Sequence, residues 1–138
     1  MNHIQSPRTC DASIEEEILA KGLTAPRITP ADIEGNIVSC HYFTAAEGVQ
    51  MRDIAELLKR CGGPEGYVGV RELYPPSPLS LLTFCVLVLK NGFTVTGESA
   101  CASPENFDAE VGRKIARANA VNKIWPLMGY ELKSKLTA

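Results

Sequence analysis

Between residues 79 and 101 the apolar positions run in two short blocks around Asn91-Gly92, LSLLTFCVLVLK before it and FTVTGESAC after it. An Asn-Gly pair between two alternating runs is a strong hairpin signal, because both residues tolerate positive φ. A two-residue type I′ turn there predicts that Val88 faces Val95, Val86 faces Gly97 and Phe84 faces Ser99. On the other side it pairs Leu89 with Thr94, Leu87 with Thr96 and Cys85 with Glu98. Leu79–Leu89 is apolar on both faces, as a covered central strand requires. Phe93–Cys101 alternates with Thr and Glu, so one of its faces is wetter.

Helical patterns occupy the rest of the chain. Ser103 as N-cap, Pro104 at the first helical position and acids at Glu105 and Asp108 predict a long helix over 104–125. Phe107, Val111, Ala118, Val121, Ile124 and Trp125 would form its apolar face. Pro126 should end or kink it, leaving Leu127, Met128, Leu132 and Leu136 for a short second helix. Toward the amino terminus, Ser13 and Glu16 form a capping-box pattern, with Ile14, Ile18 and Leu19 behind it and Gly22 as the stop. Thr29-Pro30-Ala31-Asp32 is another helix start, predicted to run to about Cys40 or Tyr42. Val49, Met51, Ile54, Leu57 and Leu58 mark a third helix, ended by Gly62-Gly63-Pro64. The expected class is α+β, a small antiparallel sheet built on the 79–101 hairpin and packed on the 104–125 helix. Two strands alone are marginal in water, so this sheet must gain strands or partners.

Composition narrows the picture. The 138 residues suit a single domain over 1–138, with 1–12 expected to fray and 62–78 to form a Pro/Gly-rich loop around a short Tyr67–Val70 strand. A net charge of −2 disfavours nonspecific nucleic-acid binding. The five cysteines include no CxxC pair and fit a reduced, cytosolic protein. No signal peptide and no window of membrane-span length is visible.

Candidate chemistry is sparse. His41 has only His3 for company, which is too few ligands for a metal and leaves a helix-end histidine. No base partners a cysteine, paired acids and a phosphate-cradling glycine loop are missing, and an enzyme is not expected. In the type I′ register the Glu98 carboxylate shares a face with Leu87, Leu89 and Cys85 and needs donors there, from a ligand or, in the plainer reading, from water at a strand edge or from Arg113 or Lys114. Arg113 and Arg117, one turn apart, suit a phosphate or pyrophosphate, though a solvated face with Arg113 paired to Glu110 or Asp108 is the plainer reading. Phe93 beside Asn91 at the hairpin end can stack on a base, and Asn106 and Phe107 lie near free helix N–H groups.

The stretch NGFTVTGESACASPENFDAEVGRKIARANAVNKIWPLMGYELKSKL resembles the tailed-phage "gene 49/gene 66" family of small accessory proteins. TAPRITPADIEGNI and HYFTAAEGV are similar to that family's amino-terminal part. The hairpin-plus-helix pattern also looks like that of anti-Thoeris sponge proteins, homo-oligomers that sequester cyclic ADP-ribose signals and, in some members, cyclic oligonucleotides. That likeness implies a binder without catalysis or cofactor, in the host cytoplasm, as a dimer or trimer of dimers with pockets between protomers. By chemical role, Asn91, Phe93, Glu98, Asn106, Arg113 and Arg117 would hold the nucleotide. Two other readings stay open: an inhibitor docked on a host enzyme through helices or a sheet edge, and a small DNA-binding factor. The acids that open the 104–125 helix count against the last.

Overall fold

The computed structural model describes residues 10–61 and 78–138, so the expected Tyr67–Val70 strand and most of the 62–78 loop lie outside the described residues. Helix α1 spans Asp11–Ala20, α2 Pro30–Asn36, β1 Ile37–Thr44, α3 Ala45–Cys61, β2 Leu82–Leu89, β3 Thr94–Ala100 and α4 Ala109–Leu136. The three strands form one antiparallel sheet in the order β1-β2-β3. The class is α+β, and Leu82–Leu89 is the central strand, as its apolar character on both faces requires.

The added strand is the largest correction. Helix α2 opens as expected, with a reciprocal capping box between Thr29 and Asp32 and Pro30 at its start, but it ends at Asn36. Ile37 turns extended, and Ile37-Val-Ser-Cys-His-Tyr-Phe-Thr44 becomes β1. Five of those eight residues are β-branched or aromatic, which favours a pleated strand over a helix once a neighbour is available. Leu82–Leu89 supplies that neighbour, through Cys40 opposite Leu87, Tyr42 opposite Cys85 and Phe43 opposite Phe84. His41 therefore stands mid-strand, not at a helix end, with its Nε2 3.0 Å from Ser39 Oγ. Thr44 closes β1 and caps α3 in the same stroke. Its hydroxyl accepts from the Glu47 N–H at 3.2 Å, and its own N–H donates to the Glu47 carboxylate at 3.1 Å.

The hairpin register also differs by one residue from the type I′ expectation. Only Gly92 takes positive φ, at +85°, while Asn91 does not. The loop is three residues long, Lys90-Asn91-Gly92, closed by Leu89 N–H to Phe93 O at 2.9 Å and Gly92 N–H to Leu89 O at 2.9 Å. Asn91 Oδ1 accepts from the Phe93 N–H at 2.9 Å, which holds the loop without a second positive φ. Leu87 consequently faces Val95, Cys85 faces Gly97 and Phe84 faces Glu98. A one-residue change of register moves each side chain of a strand to the other face, so Glu98 leaves the Leu87/Leu89/Cys85 face for the opposite one.

Helix α4 seats on the remaining face. Ser103 makes no side-chain cap; Pro104–Asn106 is a 3₁₀ turn, and Asp108 is the true N-cap, its Oδ1 accepting from the Val111 N–H at 2.9 Å. The buried line of α4 is Gly112, Ala116, Ala120 and Ile124, not Phe107, Val111 and Ala118. Small residues let its backbone lie directly on β3, where Gly97 provides the matching absence of a side chain. The helix continues through Pro126 to Leu136. A proline removes one i→i−4 bond, but Ile124 is buried and Trp125 and Met128 pack on the core to either side of it, so the turn holds.

The core under α4 consists of Cys85, Leu87, Leu89, Val95, Ala116, Ala120 and Ile124, with Ile33 joining from α2. On the other face of the sheet Phe43 and Phe84 stack with centroids 5.4 Å apart, and α3 packs against β1 and β2. At the amino end, Cys10 precedes α1 and Ser13 donates to the Cys10 carbonyl at 3.0 Å, in place of the expected Ser13/Glu16 capping box. Gly22, with φ +67°, ends α1 as expected. Arg27 clasps the Glu15 carboxylate with its two terminal guanidinium nitrogens and ties α1 to the segment leading into α2. Among the described residues no helix is long and apolar enough to cross a membrane.

Candidate ligand-binding site

Because α4 lies over β3 and β2, it leaves the α4-side face of β1 partly open. Arg113 and Arg117 project along this gap. Arg117 reaches α2, where its two terminal nitrogens donate to Glu34 at 3.1 and 2.9 Å. The hydrogen bonds from Arg117 hold the Glu34 carboxyl below its usual range, and the same bonds raise the Arg117 guanidinium. Arg117 is therefore not a free cation but one half of a bidentate pair beside Tyr42, Cys40 and Cys85. Burial, followed by a hydrogen bond with Cys40, pushes the Tyr42 phenol up to about 12. Burial also raises the Cys85 thiol to about 12, with Cys40 again the second cause.

Arg113 is different. It lines a cleft of about 240 Å³ walled by Tyr42, Phe43 and Phe107, with Thr44, Thr83 and Glu47 at its polar edge. The expected partner Glu110 is taken by Lys114 at 3.2 Å, and Asp108 is committed to its cap. Among the described residues Arg113 has no ion-pair partner. The Glu47 carboxylate accepts the Thr44 N–H, which satisfies part of its capacity. A guanidinium lining the same cleft as aromatic rings offers charge-assisted donors to an anion, and the rings offer faces to a planar group.

The structure does not bring the six expected residues together within one chain. Asn91 and Phe93 stand at the hairpin end, Asn91 bonded to the loop and beside an open groove of about 620 Å³ with Lys90, Asn36 and Lys135. Phe93 is 55% exposed. Asn106 and Arg113 stand at the far end, a seven-residue strand away, or roughly 23 Å at the usual rise per residue. Asn106 borders a further cavity of about 270 Å³ between β3 and α4, lined by Phe107, Val111 and Ile115. Glu98 faces away from α4, though its backbone carbonyl accepts from Asn119 Nδ2 at 2.8 Å.

Sequence reasoning missed Tyr42, Thr44 and Glu34 as neighbours of the two arginines. The signal lay in the strand-like run of residues 37–44, which the preceding helical spacing of Ile33 and Ile37 obscured. Among the described residues no group of three or more His, Cys, Asp or Glu side chains is placed to hold a metal.

Fold and cleft together define a small α+β protein in which Arg113, without an ion-pair partner among the described residues, lines a cleft with three aromatic rings. The chain belongs to the phage protein (N4 Gp49/phage Sf6 gene 66) family, whose model matches residues 28–136. That match takes in residues 50–78 and leaves α1 outside. No curated protein and no solved structure matches the chain.

Proposed function

We propose that this phage protein is a counter-defence binder that sequesters a cyclic nucleotide immune signal, cyclic ADP-ribose isomers or cyclic oligonucleotides, in the host cytoplasm and leaves it unchanged. The observation that carries the reading is Arg113, a guanidinium without an ion-pair partner among the described residues, in a cleft walled by Tyr42, Phe43 and Phe107. A phosphate on Arg113 and a base against the rings would use both features at once. The separation of Asn91 and Phe93 from Asn106 and Arg113 supports an assembly in which two copies run in opposite directions. The hairpin end of one copy then completes the Arg113 end of the other. Glu98 and Arg117 border that assembly from the sheet face and the Glu34 pair.

The test is thermal stability of the purified protein with cyclic ADP-ribose isomers and cyclic di- and trinucleotides. A ligand at a hundred times its dissociation constant stabilises by about 2.7 kcal/mol. The shift is expected to vanish in Arg113→Ala and in Phe93→Ala, and heating the complex should release intact ligand. Absence of any shift across the set would end this reading and turn attention to a protein target in host lysate.

A further inference from the structure

Cys40 of β1 and Cys85 of β2 point at each other beneath the edge of α4, with their sulfurs 3.6 Å apart. That is ordinary van der Waals contact for two thiols. Cys85 is fully buried, whereas Cys40, on the outer strand, is only half-buried. The two residues occupy a diagonal of the sheet, since Cys40 is opposite Leu87 and Cys85 is opposite Tyr42. Diagonal positions on paired strands usually stand too far apart for a disulfide. Here β1 carries a bulge between Ile37 and Ser39, immediately before Cys40. A bulge increases local twist and bends its strand, and among the described residues β1 pairs with β2 alone. Ser39 and His41 flank Cys40 on the opposite face, and Tyr42 and Arg117 lie beside it. Nothing bulky therefore separates the two sulfurs.

We propose that Cys40 and Cys85 form an oxidisable dithiol, a modification site that a peroxide or a disulfide oxidant closes into a bond between β1 and β2. With hydrogen peroxide the Cys40 thiolate attacks one peroxide oxygen, giving a sulfenic acid and hydroxide. The Cys85 sulfur then displaces the sulfenic hydroxyl. In sum, two thiols and one peroxide yield one disulfide and two waters, with sulfur oxidised and peroxide oxygen reduced. The accessible cysteine meets the oxidant and the buried one resolves it, an order set by their exposure. The closed bond ties β1, which carries Tyr42 and Thr44 of the Arg113 cleft, to the central strand.

The test uses the full chain with Cys10, Cys61 and Cys101 replaced by Ser, exposed to hydrogen peroxide and separately to oxidised glutathione. The expected result in the folded protein is a mass loss of about 2 Da from two hydrogens, loss of both free thiols, and reversal by a dithiol reductant. Closing a loop of about 45 residues should also raise Tm by roughly 10 °C. Cys40→Ser in the same background removes the mass loss and the Tm rise, and serves as the control that leaves Cys85 in place. The proposal is overturned if both thiols persist in the folded protein, if they pair only after unfolding in urea, or if pairing lowers Tm.

Discussion

Gly97 lies so close under Ala116 and Ala120 that a Cβ built on it would stand 2.9 Å from the Ala120 Cα and would collide with the Ala116 carbonyl oxygen. Both obstructing groups are helix backbone and cannot rotate away. Gly97→Ala should therefore lift α4 from β3 and destabilise by about 3 kcal/mol, at the upper end of overpacking changes. Urea unfolding of the variant measures it. A loss under about 1 kcal/mol would mean that α4 does not seat where described.

Two candidate caps can be separated by substitution. Asp108 accepts the Val111 N–H, whereas Ser103 caps nothing with its side chain. Asp108→Ala should cost about 1 kcal/mol, and Ser103→Ala a small fraction of that. The reverse order in denaturation midpoints would place the helix start at Pro104.

The turn has a similar discriminating pair. Within this turn only Gly92 holds positive φ, so Gly92→Ala should destabilise by about 1 to 2 kcal/mol. Asn91→Ala removes only the bond to the Phe93 N–H, for about 1 kcal/mol or less. Equal and large losses at both positions would instead fit a type I′ turn.

The Glu34–Arg117 pair makes stability depend on acid. The folded-state Glu34 carboxyl lies below its ordinary value because Arg117 bonds to it. Its stabilisation is thus fully present above the unfolded value of about 4.3 and is lost as pH falls through the lower folded value. Arg117 is 34% exposed and Glu34 57%, so screening keeps the contribution under about 1 kcal/mol. Glu34→Gln should be less stable than the parent at pH 7, and the gap should narrow steadily as pH falls below the unfolded carboxylate value. A gap that does not narrow with acid would point to packing rather than charge.

Much of the architecture was legible in the residues themselves, and the reason is local. The Thr29-Pro30-Asp32 box, the stop at Gly22 and the Asn91-Gly92 reversal each rest on groups within four residues of one another. The α+β class and the central place of Leu82–Leu89 followed from periodicity. The candidate site was less legible. Phe107 and Arg113 were visible as types, but their neighbour Tyr42 lies 71 positions from Arg113 and meets it only through the sheet.

What the sequence by itself determined is where backbone hydrogen bonds can be made locally, through caps, turns and apolar spacing. Tertiary structure alone decided whether residues 37–44 were helix or strand, because a strand's backbone groups are satisfied only by a neighbour such as Leu82–Leu89. It also decided the hairpin register, since the sheet turns Gly97 toward α4 and Glu98 away from it. The same close approach selected Gly112, Ala116 and Ala120 over the larger Val111 as the buried line of α4. Contact between distant backbones rewards the absence of side chains, and hydropathy along a chain cannot register that absence.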